Sequence, residues 1–592
     1  TGDKNMDLVQ EAFLSIELQD LLVLIIDCQT SGSNVGKSHL LELGWFPTQA
    51  SDPAGSDTLA PSVRLIQPPS GWLVPPRVAR LTGIDDRQLE KGMTAGQVWQ
   101  DLLNCARRIA ARNGMPRCPA VIHYARFEMG FIRKLAAQAN AETEPPLEAI
   151  CTHRIAARLL PTLPRKGLRA VAGYFGHSIG KHKRCLDHLL ASQAIWRHLV
   201  QRLIAEHGIT TLDQLREWIE APSPDTTARR IYPMPRQTRL NVPQAPGIYR
   251  MHRSNGDLLY IGKATNLRQR INSYFRAGGR HSESTLEMLS QAVDLQTQTT
   301  CSALEAALLE SDEIKRHKPP YNIALTDDHR KLFFLSRDFQ HHAALPDDVC
   351  RIGPVSHRPS FMAARTIARS LSLDKPVVDI GEIPQILAMP ERHCPDQACL
   401  MLGLERFRNT HKTQLHGSQI LRGLLKIGRL AWIEKMNRQA AERIADVETQ
   451  PADEPKPFAW NPEAVAKSMT AILRHCEFLI RRARWLAILS ESTIAWQVRD
   501  PASDRWNVAI FSRGQLLRRN FSRRQNPLAS PPGAGRPVME RRRCLNLPTY
   551  DRLRVLTTEL RRLLLEKRPV CVRLSRGVCL REKQLQRLMR WI

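Results

Sequence analysis

The sequence predicts a multidomain α/β protein, with two separate α/β segments in front of a mostly helical C-terminal region that carries a short β element. Three observations predict it. The chain has 592 residues, and at roughly 100–200 residues per domain that leaves room for three or four. Two breaks interrupt it: a proline-dense stretch from Ala221 to Pro243 and a Pro/Asp/Glu-rich stretch at 448–457. In front of and between these breaks, short apolar runs of strand length alternate with helical patterns. Composition adds a partner class. Lys plus Arg is 86 and Asp plus Glu 58, a net charge of +28. Such an excess, with aromatics interspersed, points to a polyanion, most simply nucleic acid. No run of 18 apolar residues occurs, so no membrane span is expected. The first residues carry no secretion pattern. Thirteen cysteines without framework spacing fit free thiols and a reducing, cytoplasmic setting, nucleoid-associated if DNA is the partner.

Residues 1–205 are the first expected domain. Leu21–Asp27 reads as a buried strand ending in an acid, followed by a turn at Cys28–Gly32 and a second strand at Leu40–Trp45. Ala120–Glu128 reads as a strand running into a helix with Phe131 and Ile132. Leu168–Ala172 leads to His182–Asp187, which opens a helix through Trp196. This pattern resembles the DEDDh 3′–5′ exonucleases, the replicase proofreading subunit among them, and the resemblance implies an RNase H-like fold. That family carries Asp-x-Glu on its first strand, an Asp in a second block, and a His with an Asp five residues later. Asp27, His182 and Asp187 match. Glu128 takes the place of the second-block Asp, Gln29 that of the first-block Glu, and Tyr124 that of the Asn before Ala-Arg-Phe. The resemblance implies metal ligation by Asp27, Glu128 and Asp187, with His182 as general base. Gln29 removes one negative charge from a site where two divalent cations need several carboxylates to offset their repulsion. Three readings stand: an active exonuclease with one slack metal site, an inactive fold that grips single-stranded DNA, or an ordinary core of the same fold. Nothing distinguishes DNA from RNA.

Residues 206–242 are expected as a short helix and a proline-rich, extended tether. Next, Gly247-Ile248-Tyr249 and Tyr260-Ile261-Gly262 flank Asn255-Gly256, a strong hairpin signal. A two-residue type I′ turn there sets Met251 opposite Tyr260 and Tyr249 opposite Gly262. Side chains alternate along a strand, so both tyrosines share one face, where two phenols beside basic residues can place a water against a phosphate. A helix is expected around 263–275, with Leu267, Ile271 and Tyr274 on one stripe and Thr265 as N-cap. A second, Ala303–His317, carries Leu304, Ala307, Leu308 and Ile314 inward, with Glu310 flanking that arc.

Residues 243–330 resemble the GIY-YIG nuclease domain of the UvrC and Cho excision-repair incision proteins. Successive blocks carry the likeness in order: Pro246–Met251, Leu259–Ala264, Asn266-Leu267, Arg270, Ser273–Phe275, Glu305–Glu310, Ile314-Lys315 and Pro320–Asn322. The resemblance implies one Mg²⁺ or Mn²⁺ on Glu310 and a water activated by Tyr260. Lys263 and Arg270 hold the scissile phosphate, while Tyr249, Tyr274 and Asn322 shape the pocket. A damage-recognition helicase complex is implied as a partner.

Residues 331–447 resemble, loosely, the segment that follows this domain in UvrC-type proteins, without their cysteine cluster. In 448–592, Ala464–Leu489 reads as a long helix, Thr493–Val498 and Trp506–Phe511 as a strand pair, and Asp551–Glu566 as an amphipathic helix. Arg518, Arg519, Arg523, Arg524, Arg541, Arg542 and Arg543, with aromatics nearby, suit phosphate contacts and base stacking. The expectation is a DNA-repair nuclease that incises one strand, its N-terminal domain trimming or holding the 3′ end. The rivals are a non-catalytic DNA-binding adaptor and a 3′–5′ exonuclease on DNA or RNA.

Overall fold

The first strand decides the N-terminal architecture. β1 (Val23–Thr30) is buried along almost its whole length, as expected of a central strand covered on both faces. Val23 and Ile25 enter one apolar core with Val121, Ile150, Ile195 and Trp196. Leu24 and Ile26 enter another with Leu43, Ile122, Phe131 and Leu102. Around β1 lie β2 (Leu40–Thr48), β3 (Ser62–Leu65), β4 (Cys118–Ile122) and β5 (Leu147–Cys151), in the order β3-β2-β1-β4-β5. The β3-β2-β1 half is antiparallel and the β1-β4-β5 half parallel. Parallel neighbours need crossovers, and the helices Ala95–Arg112 and Ala125–Gln138 supply them. The helix Cys185–His207 covers the other face, burying Leu189, Ile195, Trp196 and Leu199.

The computed structural model describes residues 16–52, 60–139, 144–180, 182–222, 230–276, 281–322, 331–372, 383–388, 394–412, 415, 420–444, 460–497, 506–512, 515–522, 545–574 and 578–589. Packing divides the chain into two units: residues 1–301 with 317–323, and residues 302–316 with 324–592. The first unit holds a second sheet, antiparallel, in the order β7-β6-β8: β6 (Gly247–His252), β7 (Leu258–Ala264) and β8 (Asp294–Thr299). Tyr249, Met251, Leu259, Leu267, Ile271, Met288 and Leu289 form its core.

The expected tether departs from expectation at its C-terminal end. Met234 and Val242 are buried in that same core, and the Ile231 N–H donates to the Thr162 carbonyl. Prolines fixed the segment's dihedrals, but two apolar side chains among them found a core to enter. The two α/β parts of this unit also touch directly. Arg253, on the hairpin, is 8% exposed. It donates to Gln291 Oε1 at 2.9 Å and to Ser178 Oγ at 2.5 Å, and Asn255 donates to the Gly176 carbonyl at 2.8 Å.

In the second unit, the helices Arg358–Leu371, Gln397–Thr410, Ile420–Ile444 and Pro462–Leu489 share one core. The β element is larger than expected: five antiparallel strands, Gln515–Ser522, Trp506–Ser512, Ser492–Gln497, Val570–Leu574 and Cys579–Leu580, in that spatial order. The helix Ala303–His317 belongs to this unit up to Arg316. Its Leu304 and Leu308 are buried with Trp485, Leu553, Leu556 and Leu560. Arg552 pairs with Asp312 at 2.9 Å, and Lys315 with Asp551 at 3.5 Å. No helix among the described residues is long and apolar enough to cross a membrane.

Candidate active site

The hairpin has the expected register by an unexpected route. Tyr249 faces Gly262 and Met251 faces Tyr260. The turn, however, is not type I′, which needs φ > 0 at both central residues. Only Gly256 has a left-handed φ, +87°, and Asn255 does not. Gly256 N–H donates to the Arg253 carbonyl, and Arg253 N–H to that of Asp257. This is a three-residue loop, Ser254–Gly256, closed by a glycine bulge. The extra residue alone would shift every pair. An irregularity between Met251 and His252, which pairs with Leu258, takes the shift out again.

The tyrosine face is therefore assembled. The Tyr249 and Tyr260 rings lie 6.1 Å apart, and Tyr249 Oη is 2.9 Å from Tyr274 Oη. Arg270 donates to Tyr274 Oη at 3.1 Å and sits over that ring at 4.8 Å. Tyr249 is fully buried. Burial first, then the neighbouring phenols Tyr274 and Tyr260, hold its pKa well above the ordinary 10. It stays protonated, and its link to the Arg270 guanidinium runs through the Tyr274 hydroxyl. Tyr260 is half-buried and Arg270 exposed; these two can meet a substrate. Lys263 pairs with Ile248, one residue out of phase with the tyrosines and so on the alternate face of the ribbon. Asn322 donates to the Ile261 carbonyl at 2.8 Å and accepts from its N–H at 2.9 Å, clamping β7 behind Tyr260. The helix Leu267–Ser273 is capped by Asn266, whose side chain accepts from Gln269 N–H, and not by Thr265. Glu310 lies half-buried on the helix Ala303–His317, whose bounds match expectation.

The second constellation sits toward the carboxyl end of β1, beside parallel β4, where the chain on either side diverges. Asp27, Gln29 and Glu128 are 6%, 6% and 7% exposed. Glu128, on the first turn of its helix, accepts from Cys28 N–H at 2.8 Å. Burial first, then the charge of Asp27, pushes its pKa well above the carboxylate range. Asp27 Oδ2 accepts from Gln29 Nε2 at 2.7 Å, and Oδ1 lies 3.2 Å from His188 Nδ1. His188 also approaches Gln29 Nε2 at 3.1 Å. Asp187 lies elsewhere on that turn, against Gly180, where a Cβ would stand 2.4 Å from its Oδ2. His182 is exposed and stands beside Gly83. Among the described residues no three His, Cys, Asp or Glu side chains are disposed to hold a metal ion.

Sequence reasoning missed His188. Helical phase was the available signal: Cys185, Leu189 and Ser192 are buried, and His188 falls on that face at i+3 while Asp187 does not. It also missed Arg184, which donates to the fully buried Glu42 at 2.9 and 3.1 Å. Of the expected arginines, Arg518 and Arg519 stand at register positions opposite Ile510 and Ala509. Arg523, Arg524, Arg541, Arg542 and Arg543 lie outside the described residues.

A family model described as the UvrC-like GIY-YIG domain matches residues 245–323. That stretch is a UvrC-like GIY-YIG domain. A putative bifunctional exonuclease/endonuclease protein of Mycobacterium tuberculosis is 27% identical over 332 residues, 53% of this chain and 48% of that protein. It supports the fusion of an exonuclease-like segment to the GIY-YIG domain. UvrABC system protein C of Psychrobacter sp. is 46% identical over 98 residues, 16% of each chain. The chain thus spans about half the length of the first relative and about a sixth of the second. The solved GIY-YIG N-terminal endonuclease domain of UvrC from Thermotoga maritima, bound to its catalytic magnesium, is 33% identical. It covers 15% of this chain and 94% of that one, at a TM-score of 0.14.

Proposed function

We propose that this chain is a metal-dependent endonuclease that incises one strand of DNA in excision repair through its GIY-YIG domain. The observation that carries the reading is the ordered set Tyr260, Tyr249, Tyr274 and Arg270 on one face of a domain whose motif blocks are complete. Tyr274 and the buried Tyr249 hold Arg270 where a guanidinium can bind the scissile phosphate and stabilise its developing charge. Tyr260, half-buried on that face, is the group proposed to take the water's proton, its own phenolic proton passing to solvent. Glu310 suits a divalent cation: one carboxylate on a rigid helix leaves room for the waters that Mg²⁺ retains. Such an ion, held by Glu310, would supply Lewis-acid stabilisation of the leaving oxygen. Mn²⁺ fits the same oxygen donor. A damage-recognition helicase complex is the proposed loading partner. The test is nicking of a lesion-bearing duplex by Glu310→Ala, with binding measured alongside. The proposal expects binding within about twofold of wild type and nicking reduced at least about a hundredfold; unchanged nicking refutes it.

For the N-terminal part, we propose an RNase H-like fold that holds a 3′ single strand and does not trim it. Both Asp27 oxygens are engaged, by Gln29 Nε2 and His188 Nδ1, and Gln29 brings no negative charge where the exonuclease family carries a carboxylate. Two divalent cations need several carboxylates to offset their repulsion, so these side chains fit a two-metal centre poorly. The check is 3′–5′ trimming of a labelled single strand at high Mn²⁺. No trimming is expected, and Asp27-dependent trimming contradicts the reading.

A further inference from the structure

Tyr124 combines three features that structural economy does not explain. Its backbone is left-handed, φ 61° and ψ 48°, a conformation that costs a bulky residue roughly 1–2 kcal/mol and that Asn or Gly adopts more cheaply. Its side chain is nonetheless 46% exposed. One ring face stacks on His153, with centroids 4.1 Å apart and planes 26° apart. His153 is itself braced edge-on by His123 at 5.7 Å, and His123 is pinned at both nitrogens, by Thr152 Oγ1 at 2.9 Å and the Lys166 carbonyl at 3.1 Å. His123 also meets the Tyr124 ring edge-on at 5.0 Å, so the ring is held in place while nearly half of the residue stays exposed. Strain retained at an exposed, supported side chain marks a function more often than a packing need.

Its location gives the ligand class. Tyr124 is the N-cap of the helix whose first turn carries Glu128, and its carbonyl accepts from the Phe127 and Glu128 N–H groups. Position 124 therefore lies one helical turn, about 6 Å of axial rise, before Glu128, the partner of the Cys28 N–H next to Asp27. Arg165 is near enough to act on the Tyr124 phenol, and Lys166 on His153. A flat aromatic face among cations suits the base of a single strand whose backbone runs past.

We infer that the Tyr124–His153 stack is a platform for the 3′-terminal base of a single-stranded DNA end. The inference rests on the proposed strand-holding role of this fold. The experiment uses the full chain in EDTA and two fluorescein-labelled ten-nucleotide strands, one intact and one with an abasic 3′-terminal sugar, read by anisotropy. Wild type is expected to bind the intact strand about tenfold more tightly than the abasic one. Tyr124→Gly, which relieves the backbone, should keep its melting temperature and bind both strands alike; Tyr124→Trp should restore the preference. If wild type shows a terminal-base preference that Tyr124→Gly retains, the platform is refuted and strand holding stands. If wild type binds neither strand, the strand-holding role is refuted with it.

Discussion

A methyl group at position 262 would stand 2.4 Å from the Tyr249 ring and 2.8 Å from that of Tyr260. The glycine of the second motif word is there because two rings converge over its backbone, not because a turn requires it. Gly262→Ala is expected to cost about 1–3 kcal/mol, the usual penalty of overpacking, and to impair nicking with every polar motif group intact. Chemical denaturation and a nicking assay check it. His123 makes a second prediction. Burial pushes its pKa from 6.5 down to about 3, so the unfolded chain takes up a proton that the folded protein refuses. Stability present above pH 6.5 should be lost progressively as pH falls toward 3. His123→Gln should flatten that slope between pH 6.5 and 4 in urea melts; an unchanged slope would assign acid sensitivity to other groups. The motif residues were legible in the sequence because each is a fixed chemical type at fixed spacing. The strain and stacking of Tyr124 and the pairings of His188 and Glu42 were not, because backbone strain and cross-element contacts leave no local periodicity.

At the scale of elements, the β6–β7 register was legible and the turn was not. A type I′ turn, and a three-residue loop followed by a compensating irregularity, give the same pairs at Tyr249 and Met251, so alternation cannot tell them apart. The helix Ala303–His317 was legible because Leu304, Ala307, Leu308 and Ile314 recur on one buried face, with Ser311 among them. The five-stranded sheet was not, because Gln515–Ser522, which pairs with the adjacent Trp506–Ser512, carries two arginines in its middle, and Ser492–Gln497 finds its other neighbour, Val570–Leu574, far along the chain. The contact between the hairpin tip and residues 173–178 carries its own prediction. Arg253 satisfies Gln291, Ser178 and Asp257 while almost wholly buried. Arg253→Met is expected to destabilise by about 2–3 kcal/mol, because those partners lose a charged donor. A loss under about 0.5 kcal/mol would mean that the latch contributes nothing.

For the whole molecule, the helix that bears Glu310 takes its packing from the C-terminal unit. Leu304 and Leu308 are buried there among Leu553, Leu556, Leu560 and Trp485. Removing residues 545–592 is therefore expected to expose that apolar stripe and to abolish nicking with all GIY-YIG motif residues present. Proteolysis at 303–317 should rise together with that loss. On the proposed reading one site, the GIY-YIG domain, makes the incision and the N-terminal fold only holds DNA. The most direct measurement is single-turnover nicking of one lesion-bearing duplex, with Mg²⁺ varied, by wild type, Glu310→Ala and Asp27→Ala. Mg²⁺-dependent nicking by wild type and Asp27→Ala is expected at rates within about threefold, and at least about a hundredfold less by Glu310→Ala. Nicking that survives in Glu310→Ala, or disappears in Asp27→Ala, would contradict it.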